Sequence, residues 1–192
     1  MRLLLGSLIC FILAAVIGLG STWLALNEGL SFGGLHIGAW TARPKSGTAD
    51  IDPYSRALIE RSGALPVGLG DGVDFIARTD DAKVALNGRC NVVVAGTTPQ
   101  ARFFTLTLYD LAGKLVSNAL NRSGFTSQEL IRNGDGSFQV SIGPRARPGN
   151  WLPTGGIDHY MMVLRLYDTP VGVQTREGRE TPMPSVTTGR CL

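Results

Sequence analysis

The N-terminal part of the chain is one long apolar run, and no other feature restricts the possible fold as strongly. Every residue from Leu3 to Leu26 is apolar or small, and no charge follows Arg2 within the run. A membrane-spanning helix needs roughly 20 such residues, whereas the apolar part of a cleaved secretory signal is normally about 7–15 residues long. We therefore expect residues 1–28 to be an uncleaved transmembrane anchor or signal-anchor, with the lipid bilayer as the partner of Leu3–Leu26. A cleaved signal peptide is the alternative.

The charge before this run predicts the orientation of the span. Basic residues next to a span tend to stay in the cytoplasm, so Arg2 assigns the short N-terminal end to that side. Everything after Asn27 would then lie outside. The sequence thus predicts a single-span protein of the bacterial inner membrane whose C-terminal domain is periplasmic.

The cysteines favour the same compartment. Cys10 lies inside the apolar run and is interpreted as a small apolar residue. Cys90 and Cys191 remain in the exported part, where free thiols are unusual. We expect a disulfide between them, which would close a loop of about a hundred residues and contribute roughly 4–5 kcal/mol. Two unrelated free thiols are the alternative.

Composition limits the rest of the chain to one moderately polar domain that is rich in turns. The 192 residues include 25 glycines and 10 prolines, with 44% hydrophobic and 17% charged residues. The 18 basic and 15 acidic residues give a net charge of +3. The basic residues are scattered, while a nucleic-acid surface normally needs a basic cluster. Nucleic acid is therefore not an expected partner.

Two segments precede the strands. Residues 29–49 are glycine-rich and predict a tether with a short strand around Leu35–Trp40. A β-rich periplasmic domain is expected over residues 50–192. It begins with one short helix, because Asp52 is a good N-cap, Pro53 suits the first helical position, and helix formers continue to Arg61.

Beyond Gly70 the pattern predicts an all-β domain of the antiparallel sandwich or jelly-roll type. Short runs of β-branched and aromatic residues alternate with turn residues. The candidate strands are Val73–Thr79, Arg89–Gly96, Arg102–Tyr109, Leu115–Ser117, Ser137–Ile142 and His159–Tyr167.

Alternation within two of these strands predicts which side chains form the core. The core-facing residues are Phe104, Leu106 and Leu108 on the first strand, and Tyr160, Met162, Leu164 and Leu166 on the second. The opposite faces carry Tyr109, Arg165 and Tyr167, which we expect to face solvent or a cleft.

Several short segments in a fixed order resemble the family called domain of unknown function 1214. They are Leu106-Thr107-Leu108-Tyr109-Asp110, Asn121-Arg122, Asp135-Gly136-Ser137-Phe138, Asn150-Trp151-Leu152-Pro153 and Leu164-Arg165-Leu166-Tyr167. The resemblance covers roughly Val73 to Pro170. It implies an all-β jelly-roll type domain, often beside or fused to a second uncharacterised domain, numbered 1254. It implies no activity and no catalytic residues.

Six residues form the candidate site, and each also has a structural interpretation. They are Asn150, Trp151, Asp158, His159, Arg165 and Tyr167. The segment Arg147–Gly156 predicts a rigid loop in which Trp151 plugs one end of the sandwich and Asn150 binds loop backbone. Alternatively, Trp151 stacks on a sugar or a partner side chain. Asp158 and His159 are the acid–histidine pair, yet no serine stands in a nucleophile motif.

The favoured interpretation is a binding or assembly module of the cell envelope without catalytic activity. It needs no metal and no cofactor, and its possible partner is an envelope protein, such as one carrying the 1254 domain. The alternative is an envelope enzyme acting on a glycan or lipid-linked substrate near Trp151, Asp158, His159 and Arg165. Convergence of these side chains in one concave pocket would favour the enzyme.

Overall fold

A computed structural model describes residues 2–27, 34–62, 68, 71–171 and 181–191. The chain divides into two compact units. One is helical and comprises Met1–Phe32 with Asp50–Leu65, and the other is β-rich and comprises Gly33–Ala49 with Pro66–Leu192.

The helical unit contains two helices, α1 (Arg2–Asn27) and α2 (Pro53–Ser62). The 26 residues of α1 rise about 39 Å. Its segment Arg2–Leu26 has a mean hydropathy of 2.6, so it is long and apolar enough to cross a membrane.

The predicted start of α2 is confirmed. Its first residue is Pro53, and the Asp52 carboxylate accepts a 2.9 Å hydrogen bond from the Ser55 backbone N–H. The Asp52 carbonyl accepts a further 3.0 Å bond from the Arg56 N–H. Side-chain capping of this kind satisfies a donor that the first helical turn leaves unpaired.

The β-rich unit is a sandwich of two sheets. In chain order its strands are β1 (Leu35–Ile37), β2 (Trp40–Ala42), β3 (Gly72–Ala77), β4 (Cys90–Gly96), β5 (Phe103–Asp110), β6 (Gly124–Thr126), β7 (Phe138–Gly143), β8 (Asn150–Pro153), β9 (Tyr160–Tyr167) and β10 (Ser185–Cys191). The six-stranded sheet has the order β1-β2-β3-β9-β5-β6, and the four-stranded sheet has the order β10-β4-β7-β8. The prediction of a mostly β fold behind an N-terminal apolar helix is confirmed.

The core lies between the inner faces of the two sheets. The predicted core residues of β5 and β9 are all buried, and they share one cluster with Val92, Val140 and Leu152 from the four-stranded sheet. Side chains alternate between the two faces of a strand, so the remaining side chains of β5 and β9 lie on the outer face of the six-stranded sheet, where Val163 is nevertheless buried.

Several local predictions were wrong. Leu115–Ser117 forms only an isolated bridge, between Leu115 and Tyr109. The segment Asn150–Pro153, predicted to lie in a rigid loop, is strand β8 and pairs parallel with β7. Among the described strands the other pairings are antiparallel.

Part of the predicted tether belongs to the sandwich. The stretch 35–42 folds into the β1–β2 hairpin, whose second strand pairs with β3. Trp40 is 1% exposed, and its indole N–H donates a 2.7 Å hydrogen bond to the Pro184 carbonyl. The hairpin is thus attached to the segment that leads into β10.

A single carboxylate strengthens the same connection. Asp81 accepts hydrogen bonds of 2.9 Å from the Ala39 N–H and 2.8 Å from the Val186 N–H. At the far end of β10, Cys191 lies opposite Cys90 in register and is bonded to it. The predicted disulfide is confirmed, so both ends of β10 are fixed to the sandwich.

Candidate functional site

Asn150 is a structural clamp. It is 6% exposed, and its side-chain carbonyl accepts a 2.8 Å hydrogen bond from the Ile131 N–H. Its amide group donates 2.9 Å bonds to the carbonyls of Ile131 and Gln139. The Asn150 side-chain amide therefore hydrogen-bonds to backbone groups, in agreement with the structural interpretation of this residue.

Trp151 lies on the outer face of the four-stranded sheet. In β8 it alternates with Asn150 and Leu152, which are buried, while Trp151 is half-buried. Its indole N–H donates a 3.1 Å hydrogen bond to the Gly143 carbonyl. The side chain thus covers a sheet surface and does not plug one end of the sandwich, because its segment is a strand.

Asp158 and His159 make separate contacts. The Asp158 carboxylate is 2.8 Å from the Arg89 guanidinium, and the two side chains are 66% and 68% exposed. An ion pair as exposed as this adds little stability. Nδ1 of His159 is 3.3 Å from the Leu86 carbonyl oxygen. Since each group has its own partner, Asp158 does not orient the imidazole for acid–base chemistry.

Arg165 is the centre of a polar cluster on the outer face of the six-stranded sheet. Its Nε donates a 3.2 Å hydrogen bond to Oδ2 of Asp74, and one terminal nitrogen donates a 2.9 Å bond to the Tyr109 hydroxyl. The guanidinium carbon is also 5.7 Å from the Tyr109 ring centroid. The Arg165 and Asp74 side chains are 30% and 25% exposed. We call these three residues the Arg165 cluster.

The Arg165 cluster does not satisfy the hydrogen-bonding capacity of all its own polar atoms. Oδ1 of Asp74 is buried and has no hydrogen-bond partner among the described residues. Burial raises the pKa of Asp74 above its ordinary value, and the charge of Arg165 opposes that shift without cancelling it. The carboxylate therefore has an acceptor that water reaches poorly and that no described protein donor satisfies.

An aromatic pair lies beside this cluster. Tyr167 and Phe103 face each other across β9 and β5, with ring centroids 5.8 Å apart. Tyr167 is two residues from Arg165 along β9, so both side chains are on the outer face.

The six predicted site residues do not meet in one cleft. Asn150 and Trp151 are on the four-stranded sheet, whereas Arg165 and Tyr167 point outward from the six-stranded sheet on the other side of the core. Asp158 and His159 precede β9 in a loop. The structure therefore divides the candidate site into two outer faces and one loop.

Asp74 is the functional candidate that the sequence interpretation missed. It stands between Val73 and Phe75, which are buried in β3, so alternation alone places it on the outer face. The available signal was a carboxylate in the middle of an apolar strand. Its pairing with Arg165 depended on the register of β3 and β9, which the sequence did not reveal.

Among the described residues, no group of three or more His, Cys, Asp or Glu side chains could hold a metal ion.

Comparison with known proteins gives the family. The profile of a family described as protein of unknown function (DUF1214) matches residues 71–171, more than half of the chain. The chain belongs to this family. The DUF1214 region contains β3 to β9, all six predicted site residues and the whole Arg165 cluster. The β1–β2 hairpin and β10 lie outside it.

One solved structure supports the fold of this DUF1214 protein. The VPA0106 protein from Vibrio parahaemolyticus superposes with a TM-score of 0.59 at 18% identity, over 73% of this chain and 36% of that one. The DUF1214 chain thus spans about a third of the length of that protein. An uncharacterised protein from Burkholderia cenocepacia gives a TM-score of 0.44 at 16% identity, over 93% of this chain and 52% of that one. No curated protein matches the chain.

Proposed function

We propose that this DUF1214 protein is a binding module of the bacterial cell envelope that works without catalysis. Its N-terminus is cytoplasmic, α1 crosses the inner membrane, and the β-rich unit is displayed in the periplasm. The binding face is the outer face of the six-stranded sheet around Arg165. The observation that carries this proposal is the Arg165 cluster, in which the partly exposed guanidinium uses Nε and one terminal nitrogen and keeps the other without a partner among the described residues.

Two independent features support the location. The helix α1 is long and apolar enough to span a bilayer, and the charge of Arg2 precedes it. The Cys90–Cys191 disulfide belongs to the type of bond that persists in oxidising compartments.

The geometry favours binding over chemistry. A hydrolytic site needs a nucleophile, a base and a group that orients the base, all within hydrogen-bond reach. Here Asp158 pairs with Arg89, His159 contacts a backbone carbonyl, and Trp151 lies on the opposite sheet from Arg165. An enzyme acting on a glycan or lipid-linked substrate would need these groups together.

Reporter fusions test the topology. A reporter that is active only outside the cytoplasm should work when fused to the C-terminus of the full chain. A cytoplasm-specific reporter at the same position should be inactive. The opposite pattern would overturn the periplasmic display, and a mature protein that begins after residue 28 would overturn the anchor.

Cross-linking in living cells tests the binding face. A photo-reactive residue replaces Thr105, next to Arg165 in register, or Ser141, next to Trp151 in register. Both positions are half-buried on outer faces, and they belong to different sheets. We expect adducts from position 105 and none from position 141. Equal yields from both positions, or none from position 105, would contradict the assigned face.

The family resemblance adds one expected partner, an envelope protein that carries the 1254 domain. Purification of the full chain from mild detergent should recover that protein in stoichiometric amount. Recovery of the chain without it would argue against assembly while leaving the cross-linking result unaffected.

A further inference from the structure

The Arg165 cluster also indicates what kind of ligand would bind there. We infer that it recognises a neutral oligosaccharide, with Arg165 donating to one sugar hydroxyl, the Thr105 hydroxyl bonding to a neighbouring one, and nearby aromatic rings packing against the sugar. This inference rests on the proposed binding function and specifies its ligand.

The first argument is the inventory of unused polar groups. The Nη2 nitrogen of Arg165 makes no hydrogen bond among the described residues, since Asp74 and Tyr109 are bound through Nε and Nη1. Guanidinium N–H groups only donate. Thr105 lies opposite Arg165 in register and is half-buried. Its hydroxyl can both donate and accept, so a ligand with adjacent hydroxyl groups can bond to both side chains.

The second argument is charge. An unpaired arginine is suited to a carboxylate or phosphate, which it binds through two parallel hydrogen bonds. Here the carboxylate of Asp74 is already 3.2 Å from Nε of Arg165. An anion next to the free edge of the guanidinium would also meet the negative charge of Asp74. A ligand without charge gains the hydrogen bonds and avoids this repulsion.

The third argument is the surface around the cluster. Register places Asp74, Arg165, Thr105 and Thr126 in one row across four strands. Cross-strand partners in an antiparallel sheet share a face, and strands lie about 4.8 Å apart, so the row is roughly 14 Å long. It can contact more than one sugar unit of an extended chain.

Aromatic rings border this row. The outward-facing rings of Phe103 and Tyr167 form a pair two residues along the strands from Thr105 and Arg165, and both are half-buried. Aromatic faces bind the apolar C–H face of a sugar ring, while the hydroxyls of that ring point toward the polar row. The combination of a flat apolar patch with a donor and an acceptor beside it fits a glycan better than an apolar peptide.

Calorimetric titration of the full chain tests the inference. The chain is held in phosphatidylcholine nanodiscs, because maltoside detergents carry a sugar headgroup that would compete. The probes are chitotetraose and maltotetraose as neutral oligosaccharides, and tetragalacturonate as an anionic one of similar length. We expect saturable binding of at least one neutral probe and weaker binding of the anionic one.

Variants connect the binding to the cluster. Arg165→Ala should weaken binding at least about tenfold, because a charged donor is lost. Tyr109→Phe retains the ring, removes the hydroxyl that holds the guanidinium, and should weaken binding several-fold. The matched control is Arg145→Ala, since Arg145 is an exposed arginine in the turn after β7. It should bind as the wild type does, and urea unfolding monitors the fold of every variant.

Three results would overturn the inference. They are no saturable binding of either neutral probe to folded protein, preference for tetragalacturonate, and unchanged binding in folded Arg165→Ala and Tyr109→Phe. Each of these three results can be distinguished from a failure of the proposed binding function. A protein adduct from position 105 without sugar binding would retain the module and reject the glycan, whereas no adduct and no sugar binding would reject both.

Discussion

The Cys90–Cys191 disulfide should contribute more to stability than any other single bond in the β-rich unit. The two cysteines are 101 residues apart in sequence. In the chain-entropy model, a bond that closes a loop of about 100 residues lowers the entropy of the unfolded chain by roughly 16 cal/mol/K, which is about 4.7 kcal/mol at 25 °C. Since domains unfold with about 5–15 kcal/mol, the double variant Cys90→Ala/Cys191→Ala should lose a third or more of the total.

Urea unfolding of the full chain in detergent measures this effect. Trp40 and Trp151 lie in β2 and β8, on different sheets, and their fluorescence reports the loss of the sandwich. With a slope of about 2 kcal/mol per M, the midpoint of the double variant should fall by roughly 2 M. Reductant should lower the midpoint of the wild type to a similar value and leave the double variant unchanged.

The matched control is Cys10→Ala, because Cys10 is an exposed free cysteine in α1. Its midpoint should equal that of the wild type. A loss below about 1 kcal/mol in the double variant would refute the entropic argument. It would mean that β10 and the remaining contacts already restrict the unfolded chain, or that the native bond is strained.

Three further substitutions follow from the contacts. Asn150→Ala removes three hydrogen bonds to partly buried backbone groups and should cost about 3 kcal/mol in urea unfolding; a cost below about 1 kcal/mol would contradict the clamp. Tyr160→Phe should stabilise by about 1 kcal/mol, because the Tyr160 hydroxyl is buried without a partner among the described residues; destabilisation would reveal a hidden partner. Burial raises the pKa of Asp74 above 3.8, so its contribution to stability is complete below that pH and is lost as pH rises through the folded-state pKa. As pH rises from 3.8 through the folded-state pKa, the unfolding free energy of the wild type should therefore fall relative to that of Asp74→Asn. A difference that stays constant over this pH range would argue against the shift.

The sequence predicted the parts of the fold that depend on local patterns. The capping of α2 by Asp52 and Pro53 follows from the side chains of one helical turn. The core faces of β5 and β9 follow from alternation over eight residues each. The disulfide followed from compartment and number, since only two cysteines remained outside the apolar run.

The parts that the sequence did not predict depend on pairing between distant segments. Asn150–Pro153 contains a proline and follows a glycine, so its local pattern is that of a turn, and only pairing with β7 makes it a strand. The hairpin at 35–42 is three residues per strand, and its pairing with β3 gives it a place in the sheet. Local propensity is weak for such short strands, and tertiary contacts decide them.

The candidate site was likewise predictable where it depends on local pattern, and not where it depends on pairing between distant segments. Alternation correctly assigned Arg165 to an outer face, but its partners come from strands 91 and 56 residues earlier in the chain. Trp151 was the more conspicuous residue in sequence because of its neighbouring prolines and glycines. Composition identified a conspicuous segment, whereas register determined which polar side chains meet.

Strands from outside the DUF1214 region extend both sheets. The β1–β2 hairpin extends the six-stranded sheet beyond β3, and β10 extends the four-stranded sheet beyond β4. They add Trp40 and Val186 to the core, which are 1% and 0% exposed. Asp81 hydrogen-bonds to backbone on both sides of this junction, next to Trp40 and at Val186 itself. The two flanking segments therefore add strands, core side chains and backbone hydrogen bonds to the family region.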